Sequence, residues 1–356
     1  MIKVKPSKTA NHPKYKENKT VLITGAGGSI GCHVLNKVLQ ETSWRVIVTD
    51  SFRHKGYFDR IANIISGNEF FSSRVKVIAH DLTAPFTDRE VSELNETNYI
   101  IHLASLSDVY DSVEHPDSFI LNNCNVQVNI LELARKLPNL EYFYHMSTDE
   151  TKGAVKADSS GHKEGNYMNP SNPYAASKAA QECFCISYWK SYNLPIVIGN
   201  IMNNFGEMQS ASKFNTIVQS KLLKGEKVTI HGSSTGEIGT RYFMHSENTA
   251  DGILFILTHT EPRFHVPSST DEIPRFNIAG DKQVSNLELA QLVAKLMGKE
   301  LDYEIVNYHE QHGAHDMHYG LDSSYIKSLG WIPPLTFEES IERVINFSNE
   351  NPQWIK

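Results

Sequence analysis

The chain has 356 residues, of which 40% are hydrophobic and 21% are charged, a balance typical of a folded protein with one large domain or a large and a smaller one. Its formal net charge of -7 excludes the overall basic field of nucleic-acid-binding proteins, so an anionic substrate would need local basic residues. The four cysteines lack metal or disulfide spacing, no apolar run approaches a membrane span, and the N-terminus lacks a signal-peptide core. We therefore expect a cytoplasmic protein with no nucleic-acid and no membrane partner.

The first 19 residues are lysine-rich and polar, and we interpret them as a flexible basic tail rather than a targeting or binding arm. From residue 20 onward, short apolar runs alternate with helical patterns. The predicted strands are 21–25, 45–50, 75–82, 99–105, 140–148 and 194–205, and the predicted helices between them include 29–40, 117–137 and 173–192. Because the strands are mostly apolar rather than alternating, they are typical of parallel strands buried on both faces. The alternation predicts an α/β fold with a doubly wound parallel sheet, a Rossmann domain, over residues 20–205.

The pattern changes after residue 205. The sequence predicts helices at 212–226, 246–259, 285–299 and 336–349, and strands at 227–232 and 275–280. Ser285 is a candidate cap for the third of these helices, and the last one begins just after two prolines. We expect residues 206–356 to form mainly a smaller α/β substrate lobe at the carboxyl ends of the sheet strands, with parts of 228–260 returning to the larger domain.

The first predicted strand runs into "TGAGGSIG", which places Gly25, Gly28 and Gly31 three apart between a strand and a helix. This arrangement favours a dinucleotide site: the first glycine turns sharply, the second lets the backbone approach a pyrophosphate, and the third lets the helix pack on the strand. The second strand ends in Asp50, whose carboxylate can bind the adenosine ribose hydroxyls and would repel a 2′-phosphate. NAD is therefore favoured over NADP, although Arg53 could neutralise a phosphate.

"NPYAASKAA" places Tyr174 and Lys178 four apart at the start of a predicted helix, so both lie on one face. We expect the lysine ammonium to lower the pKa of Tyr174, which would make the tyrosine a usable base toward a sugar hydroxyl.

Thr148 and two adjacent carboxylates, Asp149 and Glu150, follow the fifth predicted strand. Neighbouring acids repel each other and do not suit a core. The stretch is therefore either a solvated loop or a place where one acid donates a proton and the other accepts one.

These motifs, together with "HLAS" after the fourth strand, resemble the extended short-chain dehydrogenase/reductase family from about residue 20 onward. Within that family, threonine–aspartate–glutamate resembles the nucleotide-sugar 4,6-dehydratases of the dTDP-glucose type. "MNNFGEMQ", "GAHDMHYGLD" and "NPQW" are similar to further segments of that group. The resemblance implies an NAD-dependent lyase that acts on a nucleotide-diphosphate sugar, and a homodimer.

The resemblance also assigns roles to single residues. Tyr174 and Lys178 would serve the oxidation of C4, and Thr148 would orient the C4 oxygen. Glu150 would then remove the C5 proton while Asp149 protonates the departing C6 hydroxyl. The cofactor contacts implied, besides Tyr174 and Lys178, are Gly25, Gly28, Ser29, Ile30, Gly31, Asp50, Arg53, Asp81, Leu82, Leu103, Ala104 and Ser105. The substrate contacts implied are Ser107, Asn203, Lys213, Arg241 and His315.

Several segments depart from the pattern of the dehydratases. "SDVYD" (107–111) stands for their Ser-His-Val-Asp, "RYF" (241–243) for their Arg-Asp-Trp, and His318 for an arginine. The sequence therefore leaves open the nucleotide base and the sugar. Two alternatives also stay open: a nucleotide-sugar 4-epimerase or decarboxylase of the same family, and a non-catalytic NAD-binding sensor.

Three further patterns carry weaker expectations. Histidines recur every third residue from His309 to His318, but this spacing does not keep them on one face of a helix or strand, so we expect a loop and no metal site. Asn123 is expected to brace the backbone of the active site, with a helix-surface role as the alternative. The apolar bulk of 117–137 and 173–192, including Val126, Phe184, Tyr188 and Trp189, favours a dimer through these helices or packing against the sheet.

Overall fold

The computed structural model describes residues 5, 12–156, 159–267, 270–307 and 316–355. Strands β1 to β13 are, in chain order, Thr20–Thr24, Arg45–Asp50, Val75–Ala79, Tyr99–His102, Tyr142–Thr148, Ile196–Ile201, Asn204–Phe205, Val228–Gly232, Thr240–Arg241, Met244–His245, Arg275–Ile278, Val284–Ser285 and Tyr303–Asn307. Helices α1 to α12 are Gly31–Glu41, Phe58–Ile65, Glu69–Ser72, Asp88–Glu93, Val109–Glu114, Pro116–Lys136, Pro173–Tyr192, Phe214–Lys224, Ser246–His259, Asn286–Leu296, Ser324–Ser328 and Phe337–Glu350. Short 3₁₀ turns occur at Pro13–Lys16, Asp149–Thr151 and Pro352–Trp354.

The main sheet confirms the predicted Rossmann fold. Within the described residues it has seven strands in the order β11-β6-β5-β4-β1-β2-β3, and all of its pairings are parallel. The direction of winding reverses between β1 and β4, and a doubly wound sheet binds its ligands beyond the carboxyl ends of the strands at such a point. The first predicted strand, the fourth and the fifth end there, so the glycine turn, "HLAS" and the acid pair meet at one edge.

Apolar side chains cover both faces of this sheet. One core joins it to α1, α2 and α9 and includes Val38, Ile61 and Phe255. The other core joins it to α6 and α7 and includes Val126 and Trp189, which are 5% and 0% exposed. Val126 and Trp189 thus stabilise the domain itself, which accounts for part of the apolar bulk seen in these helices.

A separate core lies between α8, α10, α12 and β8, with Val218, Ile230, Val293 and Ile345 fully or almost fully buried. Ser285 caps α10 through a capping box with Glu288, as the sequence predicts. Strand β11, which the sequence placed in the smaller lobe, instead pairs with β6 at the edge of the main sheet. The residues of a short apolar strand do not show which sheet it joins, so the sequence could not predict that β11 pairs with β6. The division of the chain at residue 205 otherwise stays a prediction.

The predicted tail needs a correction at residues 12–19. Tyr15 is only 2% exposed, its carbonyl accepts the backbone N–H of Ser43, and Trp44 donates its indole N–H to the carbonyl of Lys14 at 3.0 Å. This stretch therefore belongs to the folded domain, because one buried aromatic residue outweighs a polar composition. Residues 1–4 and 6–11 lie outside the described residues.

In the part of the chain that the structure describes, no helix is both long enough and apolar enough to cross a membrane.

Candidate active site

A cleft of about 840 Å³ opens at the carboxyl edge of the main sheet. Every site residue predicted from the sequence that the structure describes lines this cleft. His315, a predicted substrate contact, lies outside the described residues, as do His309 and His312. Residues drawn from nine segments of the sequence therefore share one cavity.

The glycine turn packs as its spacing predicts. Gly25 has φ +70°, and a Cβ at this position would lie 2.9 Å from the backbone nitrogen of Ala104. A Cβ on Gly31 would lie 2.1 Å from the carbonyl oxygen of Gly25, so only glycine lets α1 approach β1 this closely. The N-cap residue of α1, Ile30, makes no side-chain cap, and although the N–H of Cys32 donates to the carbonyl of Gly28, the start of the helix lines the cleft, where its dipole favours an anion.

Asp50 and Arg53 lie at the adenosine end expected for a dinucleotide. The Asp50 carboxylate accepts the backbone N–H groups of Gly27 and Phe52, each at 3.0 Å, which fixes it at the rim of the cleft. Arg53 forms an ion pair with Asp81 at 2.8 Å. Since Asp81 already neutralises the guanidinium, Arg53 is poorly suited to a 2′-phosphate. The glycine cradle, the uncapped helix and the fixed carboxylate together fit NAD.

Tyr174 and Lys178 lie on one face of α7, but they do not form the expected pair. Lys178 donates to the carbonyl of Met146 at 2.8 Å and to the side chain of Gln181 at 2.5 Å. Burial lowers the pKa of Lys178 to about 8. Burial, together with the nearby carboxylates of Glu150 and Asp149, raises the pKa of Tyr174, which opposes the decrease that the sequence predicted. Without ligands the phenol is therefore neutral, because it is buried and Lys178 donates its hydrogen bonds to Met146 and Gln181 rather than to Tyr174.

The acid pair is not a solvated loop. Asp149 is 3% exposed, accepts the Thr148 hydroxyl at 2.9 Å through Oδ1, and has no partner for Oδ2 among the described residues. Burial raises the pKa of Asp149 to about 6. Burial and the charge of Asp149 raise the pKa of Glu150 to about 7. Near neutral pH the pair thus shares a proton, which supplies one acid and one base at the same place.

A buried network that the sequence reading missed fixes the turn that carries the acid pair. Glu182 on α7 accepts hydrogen bonds from Ser147 at 2.5 Å, Thr151 at 3.1 Å and Asn200 at 2.9 Å. It also forms an ion pair with Arg275 of β11. Asn200 donates in addition to the carbonyl of Thr148, and the Thr151 hydroxyl, which has a single proton, lies 2.9 Å from that carbonyl as an alternative acceptor. Glu182 follows Lys178 by one helical turn, and this spacing could have indicated that Glu182 faces the site.

Basic groups line the part of the cleft expected to hold the substrate. Arg241 donates to the carbonyls of Thr240, Met317 and Asp316, and its guanidinium lies over the ring of Tyr319 at 4.4 Å. Lys55, which the sequence reading missed, donates to Asp108 at 2.7 Å. Lys213 lies close enough to Asp108 for their charges to interact. These cations meet the requirement for local basic residues in an acidic protein.

Asn123 braces the site as predicted. Its side-chain oxygen accepts the N–H of Leu106 at 2.9 Å, and its amide donates to the carbonyl of the same residue at 3.1 Å and to Ser177 at 2.8 Å. The backbone after β4, which passes along the cleft, is thereby tied to α6 and α7.

A second polar cluster lies behind α1. Among the described residues, His33, Glu207 and His245 form the grouping whose ligand atoms are close enough for a metal ion. However, Nδ1 of His245 accepts the backbone N–H of Glu247 at 3.1 Å, so the proton of the neutral ring lies on Nε2, 3.2 Å from Glu207. A ligating nitrogen must be free of its proton, so this arrangement fits a cluster held around Glu207 by its ion pair with Arg343 rather than a metal centre.

Comparison with known proteins agrees with this geometry. Residues 22–344 match the model of the GDP-mannose 4,6 dehydratase family. The chain belongs to this family.

Relatives within and near the family differ in length. A trifunctional UDP-glucose 4,6-dehydratase/UDP-4-keto-6-deoxy-D-glucose 3,5-epimerase/UDP-4-keto-L-rhamnose-reductase of Arabidopsis thaliana is 27% identical over 339 residues, which cover 94% of this chain and 48% of that protein. The chain thus spans about half the length of that relative. The dTDP-glucose 4,6-dehydratase of Escherichia coli is 27% identical, and the match covers 94% of both chains.

Solved structures show the same fold. The dTDP-glucose 4,6-dehydratase of Streptomyces venezuelae, whose structure contains NAD and TYD, superposes with a TM-score of 0.82 at 25% identity and covers 95% of this chain and all of that one. A UDP-glucose 4-epimerase of Thermus thermophilus gives a TM-score of 0.78 at 23% identity. The fold is therefore common to dehydratases and epimerases of this kind, and the reaction has to be inferred from the site.

Proposed function

We propose that the protein is an NAD-dependent lyase, a nucleoside-diphosphate-hexose 4,6-dehydratase that converts a glucose-type nucleotide sugar to its 4-keto-6-deoxy form. The observation that carries this proposal is the acid pair, buried Asp149 and partly buried Glu150, beside Tyr174. A 4-epimerase needs the tyrosine but has no step that uses two adjacent carboxylates. A non-catalytic sensor would gain nothing from burying them, since burial disfavours charge.

The roles proposed for this chain's residues follow from their places. Bound NAD would supply the hydride acceptor for C4 and the hydride donor for C6. Tyr174 removes the proton of the C4 hydroxyl, and the neighbouring Thr148 hydroxyl, which acts to lower the pKa of the phenol, holds the C4 oxygen. Lys178, which is charged at neutral pH, lies on the same helix face and favours the phenolate once substrate and cofactor have displaced water.

Elimination falls to the acid pair. The C4 ketone makes the C5 proton acidic, and Glu150 removes this proton. Asp149 protonates the C6 hydroxyl, which leaves as water; its unpartnered Oδ2 is available for that contact. Both carboxylates have raised pKa values, near 6 and 7, so one can give a proton while the other takes one at physiological pH. We assign Ser107, Asn203, Lys213 and Arg241 to the substrate, the two cations to its diphosphate.

The test is incubation of the purified protein with dTDP-, UDP- and GDP-glucose, followed by mass spectrometry. We expect one of them to lose a molecule of water without added reductant, because the cofactor returns to its starting state. Inversion at C4 without loss of mass, or no conversion of any of the three, would contradict the proposal. The panel also fixes the nucleotide.

We further propose a homodimer that acts in the cytoplasm. On α5 and α6, the side chains of Val113, Ile120 and Leu121 are 40%, 41% and 62% exposed, beyond what core packing uses. All four cysteines are free, two of them buried, which suits a reducing compartment. Light scattering should give twice the mass of the chain, and Leu121→Lys should reduce it to a monomer.

A further inference from the structure

Asn172 connects the catalytic helix to the proposed base. It is the N-cap of α7, and its side-chain oxygen accepts the backbone N–H of Ala175 at 2.8 Å. Since a backbone N–H can only donate, this contact fixes which end of the amide is oxygen. The amide nitrogen then points at Glu150 and donates to Oε2 at 2.9 Å. Asn172 is 5% exposed, so neither contact is shared with bulk solvent.

Asp149 has a donor of a different kind. The Thr148 hydroxyl carries a single proton and donates it to Oδ1 of Asp149. In the proposed reaction the same hydroxyl must hold the C4 oxygen of the sugar, so the substrate takes this donor away from Asp149. The amide of Asn172 has no such second task, because its oxygen is bound to the helix and its nitrogen to Glu150.

We propose that Asn172 is a positioning residue that favours the ionised form of Glu150, so that the shared proton of the acid pair passes to Asp149 when substrate takes the Thr148 hydroxyl away from Asp149. The catalytic consequence of this inference rests on the proposed function, but the hydrogen bond from Asn172 to Glu150 exists without substrate. Asn172 thereby decides which of two adjacent carboxylates is the base and which is the acid.

The other charged groups around Glu150 do not make this distinction. Asp149 on the same turn disfavours a charge on Glu150, while Arg241 of β9 and Lys213 before α8 favour it. Tyr174 of α7 and Tyr319 also face the carboxylate, and both are neutral because burial raises their pKa values. Arg241 acts on Asp149 as well as on Glu150, and the substrate diphosphate would neutralise both cations. The uncharged amide of Asn172 contacts Glu150 alone.

The test uses Asn172→Ser and Asn172→Asp in the full-length protein. Serine and aspartate are both good N-caps, so each preserves the start of α7. A serine that caps α7 is too short to reach Glu150 as well. An aspartate that caps α7 places a second carboxylate oxygen, which can only accept, beside Glu150. Asn68→Ser is the matched control, since Asn68 caps α3 in the same way through the N–H of Phe71, away from the cleft.

The first readout needs no substrate. The infrared band of protonated carboxylic acid is titrated in the wild type, and Glu150→Gln identifies the part that belongs to Glu150. We expect Asn172→Ser to move the Glu150 midpoint upward by about one pH unit, Asn172→Asp to move it further, and Asn68→Ser to leave it in place. An unchanged midpoint in both Asn172 variants overturns the inference.

The second readout uses the nucleotide sugar that the wild type converts. In Asn172→Ser, the acidic limb of the pH profile for C5 proton exchange should shift to higher pH together with the infrared midpoint. The exchange rate should therefore be about tenfold lower at neutral pH and should recover at higher pH. C4 oxidation should be unchanged. A uniform loss at every pH would assign Asn172 to helix capping alone and overturn the inference. A shifted infrared midpoint in a protein that eliminates no water would overturn the proposed function and leave the contact with Glu150 established.

Discussion

Asp149 in the acid turn and Glu207 in the cluster behind α1 are buried to a similar depth, yet their surroundings give the two carboxylates opposite proton affinities. Asp149 is 3% exposed and Glu207 is 2% exposed. Burial raises the pKa of Asp149 and of Glu150. Burial also acts to raise the pKa of Glu207, but His245, His33 and Arg343 together lower it well below its usual range.

The neighbours account for the difference. Arg343 binds Glu207 at 2.5 Å and also binds Glu247, so its charge is used to hold α12 against α9. Near the acid turn, Arg241 uses three of its N–H groups on backbone carbonyls. A buried carboxylate with a dedicated cation stays ionised, whereas one without it is ready to exchange a proton.

The largest expected effect is on the acid turn. Glu150→Gln and Asp149→Asn should each reduce the rate of water loss, by about a hundred- to ten-thousandfold, because general acid–base catalysis typically contributes this much. Both variants should still oxidise C4, which needs only Tyr174, Lys178 and Thr148, and the absorbance of reduced cofactor would show it. Glu150→Gln should also abolish exchange of the C5 proton with deuterated solvent, which Asp149→Asn should retain.

The assignment of acid and base depends on the second variant. If Asp149→Asn loses water at the normal rate, Asp149 is not the acid. Tyr174→Phe serves as the control, since it should stop the reaction one step earlier, at the oxidation of C4.

The next effect is on the Glu207 cluster. Arg343→Met should lower the free energy of unfolding by about 3 kcal/mol, because it leaves Glu207 as a buried charge without its guanidinium. Urea denaturation measures this. Lys282→Met removes an exposed ion pair with Glu338 and should cost less than about 1 kcal/mol. Equal losses in the two variants would show that Arg343 is not a buried partner.

The smallest expected effect concerns how the free energy of unfolding depends on pH. The folded-state pKa of Glu150 is raised to about 7, so its contribution to stability is present below its unfolded pKa and is lost as pH rises through 7. Glu150→Gln should therefore be more stable than the wild type at pH 8, by on the order of 2 kcal/mol, and equal to it near pH 4. Thermal unfolding at the two pH values checks this. Glu207→Gln should be less stable than the wild type at pH 8, since the pKa of Glu207 is lowered.

The sequence predicts features set by nearby residues, and it does not predict contacts between residues far apart in the chain. The glycine turn and the Tyr174–Lys178 spacing are set within a few residues, so their patterns predict them directly. The support of the acid turn is not local: Glu182 meets Ser147, Asn200 and Arg275, which come from three different strands. The hydrogen bond from Asn172 to Glu150 likewise joins residues that no periodicity relates. The protonation state of Tyr174 was predicted in the wrong direction for the free site, because spacing does not reveal that Lys178 donates to Met146 and Gln181.

The pairing of Glu182 with Arg275 has a consequence for the order in which the protein folds during synthesis. Arg275 lies on β11, the strand that joins the edge of the main sheet last in chain order. During synthesis, the glycine turn, the acid pair and the tyrosine helix all leave the ribosome long before this strand does. Contacts between distant parts of a chain form slowly, since the loop between them must first be closed. A nascent chain that lacks β11 would thus hold the acid turn on a glutamate that has lost its ion pair with Arg275 and keeps only the charge of Lys152 nearby, so the proposed activity should arise only once the far edge of the sheet has docked.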